Sequence, residues 1–177
     1  PIKDENEYLI VATTRPETML GDTGVAINPN DKRYKKYLGK SILLPIVNKE
    51  IPIFSDEYVD MEFGTGCVKV TPAHDMNDYE MAKRNNLEII NIMNDDATFN
   101  DNVPKEYQGK DRFEVRKVVL ETLEKNDFLL KTEDYIHKVG HSERTDAIIE
   151  PRLSKQWFLK MEDLAQPALK VVKNKEV

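Results

Sequence analysis

The chain has 177 residues, 40% of them apolar and 33% charged, the composition of a globular domain with one sizeable core and a tail. A formal net charge of −6 argues against holding nucleic acid through an overall basic field, which needs clustered Lys and Arg. No apolar run approaches the ~18 residues of a membrane span, and the single cysteine, Cys67, excludes an internal disulfide or a cysteine-rich zinc site, so the expected setting is a reducing, cytoplasmic one with no membrane partner.

No signal or transit signature is present, and Pro1 in place of an initiator Met suggests a segment of a longer polypeptide. The first predicted strand covers 7–14, where Tyr8-Leu9-Ile10-Val11-Ala12 reads as mostly buried. It runs into TTRPETMLGDTGVAINP, Thr13 to Pro29. Threonines, an Arg and a Glu thus crowd a strand end, where a rigid framework can present polar groups to a ligand. A second strand is predicted at 24–28. DKRYKKYLGK then sets Lys32, Arg33, Lys35, Lys36 and Lys40 against one Asp, on a short helix ended by Gly39. A solvated helix face explains this run more simply than a phosphate-contacting patch.

Strands follow at 41–47, 50–54 and 67–71, then a helix at 77–86, a strand at 89–93, a helix at about 111–126 and a last strand at 132–139. In the second helix Val115, Val118, Val119 and Leu123 recur at three- and four-residue spacings, the pattern of a core-facing stripe. Many short strands with few helices predict an α+β fold: a closed or half-closed β-barrel with peripheral helices, since closure removes exposed edges. The expected division is a domain over 1–150 and a segment over 151–177 leading toward something else.

The second polar cluster is GTGCVKVTPAHDMNDYE, Gly64 to Glu80. A Gly-Thr-Gly turn feeds a strand in which Val68 and Val70 share one face and Lys69 and Thr71 the other. Pro72 stops it, and His74, Asp75 and Asp78 occupy the following turn and the start of a helix. The positive end of that helix favours ionised carboxylates, and an ionised Asp can pair with an ammonium. Asp75 can equally be an N-cap, with Asp78 three residues on completing a capping-box-like arrangement. A metal-ligand reading of His74, Asp75 and Asp78 is the weaker one, because His137 and His141 are distant in sequence. No nucleophile-elbow serine is present, and Cys67 reads as a small buried residue.

Together with VGHSERTDAIIEPRLSKQWFLKM, these two clusters resemble, in order and over nearly the whole chain, the editing insertion of valyl-tRNA synthetases, class I enzymes. The leucyl and isoleucyl editing domains share the threonine-rich strand end and the later aspartate, and stand as the alternative, beside a non-catalytic tRNA-binding module. The resemblance implies a β-barrel inserted into a nucleotide-binding catalytic domain, and hydrolysis of threonine wrongly esterified to valine-specific tRNA. The two ATP-binding signatures of the class are absent, so ligase activity is not expected of this segment. By resemblance the catalytic residues are Lys69, Thr71, Asp75 and Asp78, and the substrate-binding residues Arg15, Thr18, Thr14 and Asp78. Ser142 and Thr145 stand where relatives often carry cysteines, so no zinc knuckle is expected there. The implied partners are tRNA(Val) mischarged with threonine and the remainder of the parent synthetase in cis; no cofactor or metal is implied.

Overall fold

The computed structural model describes residues 1–176. Its regular elements are the 3-10 helix Pro16–Gly21, β1 Gly24–Ile27, a 3-10 turn Lys35–Tyr37, β2 Ser41–Leu44, β3 Lys49–Ser55, β4 Cys67–Val70, α1 Met76–Asn85, α2 Arg112–Lys125 and α3 Met161–Lys173. The class expected, short strands with helices around them, is the one observed. Among the described residues the paired strands form one open four-stranded sheet, in the order β2-β3-β1-β4. β1 runs parallel to β3, with Val25 opposite Ile53, and antiparallel to β4, with Val25 opposite Lys69. β2 and β3 pair antiparallel.

Three predicted strands do not form. Over 7–14 the chain keeps a two-residue alternation without a ladder: Leu9 and Val11 pack on the core, whereas Tyr8 and Ile10 are exposed. Residues 89–93 supply Ile92 and Met93 to the core through one isolated bridge, Met93 to Phe99. Residues 132–139 have exposed side chains throughout and no bridging partner. In none of the three does a continuous ladder form, and ladder pairing is what stabilises a strand.

The apolar core lies on both faces of the sheet and beneath α2. Val25, Ile27, Ile53 and Cys67 pack on one face with Ile42, Leu44 and Ile51. Ala26 and Val70 pack on the other with Met81 of α1. Under α2, Val115, Val119 and Leu123 meet Leu20, Ile92, Phe99 and Tyr107, so the predicted stripe is core. α1 starts one residue earlier than predicted and ends at Asn86, which adopts the left-handed conformation at φ 52. The basic run forms only a 3-10 turn, stopped by Gly39 at φ +77. Most of its cations are paired at once: Arg33 with Asp31, Lys36 with Glu7 and Lys40 with Glu5. That leaves little free charge for phosphate.

Candidate active site

The alternation read for β4 places Val68 and Val70 toward α1, and Lys69 points the other way with Thr71 just beyond the strand end. The Gly64-Thr65-Gly66 turn that launches β4 depends on glycine at Gly66, whose φ is +78 and where a Cβ would stand 2.5 Å from the Arg33 Nη2. On the facing side the 3-10 helix Pro16–Gly21 begins at Pro16, whose fixed φ suits a first helical position. This helix is fastened to α2 by a bidentate ion pair, in which Arg116 Nε and Nη2 donate to the fully buried Glu17 at 2.8 and 2.6 Å. Thr18 is thereby held against Lys69.

The resulting wall is a closed hydrogen-bond network. Lys69 Nζ donates to Thr18 Oγ1 at 2.8 Å, to Thr71 Oγ1 at 2.6 Å and to Asp22 Oδ1 at 3.2 Å, spending all three of its protons. The Thr71 hydroxyl donates in turn to Asp22 Oδ1, and the Thr71 amide donates to Asp78 Oδ2 at 2.8 Å. Thr18, Asp22 and Thr71 are each only 2% exposed. Burial pushes the Asp22 carboxyl up, against the opposing pull of Lys69 and Thr71.

Asp78 is also buried, and burial raises its pKa from 3.8 to about 6, with the Thr71 amide and Lys69 pulling the other way. Sequence reasoning, which weighed only the favourable helix end, expected an unhindered anion. Desolvation outweighs the dipole here, and Asp78 is nonetheless mostly ionised at pH 7.

Asp75 is the N-cap, Oδ1 accepting from the amides of Asn77 at 2.8 Å and Asp78 at 3.2 Å. Its side chain is exposed, and Oδ2 accepts no hydrogen bond among the described residues. Both readings of Asp75 are therefore compatible on one carboxylate. His74 is fully buried, with Nδ1 at 3.2 Å from the Pro151 carbonyl and Nε2 accepting from the Ile92 amide at 3.1 Å. Both ring nitrogens are spent on backbone, and burial lowers its pKa to about 4, so the ring is neutral.

Arg15 spans the wall's edge. Nη1 donates to the His74 carbonyl at 2.9 Å and Nη2 to Glu150. Thr14 is exposed and takes no part in the network; its neighbour Thr13 accepts from the Arg15 amide at 3.0 Å. The structure thus gathers Arg15, Thr18, Lys69, Thr71, Asp75 and Asp78 around one wall, and adds Asp22. Sequence reasoning did not single out Asp22. Its signal was an acidic residue two positions ahead of a fully buried apolar strand, a pattern that turn aspartates share.

Comparison with known proteins matches this architecture. The family model described as "Leucyl-tRNA synthetase, editing domain" matches residues 34–114. The solved GlLeuRS-CP1 structure superposes with a TM-score of 0.55 at 15% identity, over 72% of this chain and 83% of that one. A leucyl-tRNA synthetase of Agrobacterium radiobacter K84, solved as a ternary complex with tRNA and LeuAMS, gives a TM-score of 0.57 at 17% identity, over 71% of this chain and 18% of that one. Likeness at that identity concerns the fold, and the fold is the one found in aminoacyl-tRNA synthetase editing domains, the class that the family model also describes over residues 34–114.

Full-length sequence similarity narrows the class. The valine–tRNA ligase of Clostridium tetani (strain Massachusetts / E88) is 57% identical over 100% of this chain. That of Thermotoga maritima is 55% identical over 100%, and that of Bacillus subtilis (strain 168) 55% over 99%. The chain is thus similar over its whole length to valine–tRNA ligases, and it spans 20% of the length of these relatives.

Proposed function

We propose that this domain performs post-transfer editing, hydrolysing the ester of threonine misattached to valine-specific tRNA. The observation that carries the reading is the polar wall of Lys69, Thr71, Thr18 and Asp22 with buried Asp78 behind it, in a chain similar throughout to valine–tRNA ligases. Asp78 binds the substrate α-ammonium, whose charge needs an anion once water is excluded. Asp75 reads the threonyl hydroxyl, and Lys69 and Thr71 hold the surface against which it is presented and the attacking water is oriented. Arg15 and Thr18 hold the ester and the terminal adenosine, with Thr14 at the margin. A neighbouring ribose hydroxyl assists the water, so orientation and electrostatics suffice without a protein nucleophile, metal or cofactor.

The parent enzyme supplies the rest in cis. Beyond Leu153 the chain leaves the folded body, with Trp157, Phe158 and Leu159 exposed and no buried residue in α3. We assign 1–150 to the editing unit and 151–177 to a segment leading to the catalytic domain, whose first residues, Pro151 to Leu153, are still held by this unit. Among the described residues no helix is long and apolar enough to cross a membrane.

The test is release of amino acid from threonyl- and valyl-charged tRNA(Val) by the full-length parent and by this chain alone. The reading expects threonine to be released far faster than valine by the parent, and release to be lost in Asp78→Ala with valine charging retained. Equal rates on the two esters would refute it.

A further inference from the structure

We propose that Glu150, on the strap leaving the domain, is a positioning residue of the editing site that aims the Arg15 guanidinium. The proposal rests on the editing function given above and assigns a role to a motif, GHSERTDAIIEPR, that this function does not use.

Glu150 is separated from Arg15 by 135 residues of sequence, yet its side chain is only 10% exposed and its two oxygens are divided between two arginines. Oε1 takes Arg15 Nη2; Oε2 takes Arg112 Nη1 at 3.2 Å. Arg112 is the first residue of α2 and also donates to the Ile148 carbonyl at 2.7 Å, which anchors the strap to a rigid element. The other arm of Arg15 holds the His74 carbonyl, in the turn that leads to Asp75 and Asp78.

The same turn is gripped by strap backbone. The Leu153 amide donates to the Ala73 carbonyl at 3.0 Å, and the His74 Nδ1–H donates to the Pro151 carbonyl. Arg152 closes the strap onto Asp95 at 2.6 Å. The strap therefore builds one side of the site. A planar guanidinium held at both nitrogens has one orientation; held at one, it swings. In E150Q one of the two acceptor oxygens becomes an NH2 donor, so the single remaining oxygen cannot serve both Arg15 and Arg112 and two cations face a neutral group.

Glu150 also ties Arg112 to the strap, and a purely structural staple is the competing account. A double-mutant cycle in the full-length parent separates the two. E150Q, R15Q and the double variant are compared in single-turnover hydrolysis of threonyl-tRNA(Val) over a range of enzyme concentration, with valine charging as the check that the parent is folded. E150Q is expected to slow the saturated rate by about tenfold while the half-saturating concentration stays within about twofold, and to add less than about twofold on the R15Q background.

Additive losses, or an E150Q rate equal to that of the parent, would overturn the proposal. Should E150Q lose the parent's resistance to limited proteolysis, E150D, which keeps the charge on a shorter arm, replaces it in the cycle under the same outcomes. A parent that does not clear threonyl-tRNA at all refutes the editing function itself. A parent that does, with an additive cycle, refutes only the role of Glu150.

Discussion

Replacing Asp78 by Asn should make the domain more stable at neutral pH and less stable toward acid relative to its own neutral value. The Asp78 carboxyl has its pKa raised from 3.8 to about 6 by burial. The folded state therefore binds this proton more tightly than the unfolded state, and stability falls as pH rises through that window. At about 1.4 kcal/mol per tenfold change in proton affinity, the ionised side chain costs about 3 kcal/mol at pH 7. Asn cannot ionise, and its Oδ1 can still accept from the Thr71 amide as Asp78 does now. Its loss at the helix start is a smaller term, at most about 1 kcal/mol.

His74 opposes this slope. Its pKa is lowered from 6.5 to about 4, so the folded state binds fewer protons and stability is lost as pH falls through that range, again by about 3 kcal/mol. In the parent sequence the two slopes nearly cancel between pH 4 and 6. In D78N the histidine slope stands alone. Urea denaturation of both proteins from pH 4 to 7 measures this directly: D78N should exceed the parent by about 3 kcal/mol at pH 7, and the two should converge near pH 4. A variant less stable than the parent at pH 7, or a difference that does not change with pH, would refute the reasoning.

Lys69→Met should destabilise by about 3–5 kcal/mol, because Asp22 is left buried with only the Thr71 hydroxyl, and adding Asp22→Asn should recover part of that loss in denaturant titration. If the double variant is no more stable than K69M, Asp22 is not the group left uncompensated. Asp75→Asn keeps a good N-cap but turns the free acceptor Oδ2 into a donor; release from threonyl-tRNA should fall about tenfold or more while any release from valyl-tRNA is unchanged, and an unaltered ratio would remove Asp75 from substrate reading. Trp157, the chain's single tryptophan and fully exposed, should fluoresce in the isolated chain as a solvated indole open to acrylamide quenching; a shielded, blue-shifted emission would show that the tail packs on the domain itself.

What the sequence discloses here depends on how local the deciding physics is. β4 was legible because a glycine turn and Pro72 bound a strict alternation, and both faces of that alternation are used. The α2 stripe was legible because helical periodicity is set within one segment. Residues 7–14 and 132–139 carry the same β-forming chemistry and form no strand, since pairing depends on a neighbour that the segment does not encode. Asp22, Glu17 and Glu150 share this difficulty. Each acquires its role from a cation far away in sequence, respectively Lys69, Arg116 and Arg15. Asp78 was correctly placed at a helix start, but its proton affinity is decided by burial, which only the packed molecule sets.

The wall also bears on how a second site could prefer threonine. An apolar pocket separates valine from isosteric threonine by only about 10², the established figure for valyl-tRNA synthetases. A polar site can invert this if its groups are left unpaired by valine. Lys69 and Thr71 do not meet that condition in the free domain, because their protons are already accepted by Thr18, Thr71 and Asp22. A bound valyl group would leave that network as it is. Asp75 is different: Oδ1 is committed to the helix cap, whereas Oδ2 stands free at the same turn. In water that oxygen is solvated. Once an aminoacyl group covers it, only a hydroxyl replaces the lost water, and a methyl in the same place leaves a desolvated anion without a partner. Under the proposed function, selectivity therefore rests first on Asp75, and the Lys69 network holds the surface against which the hydroxyl is presented.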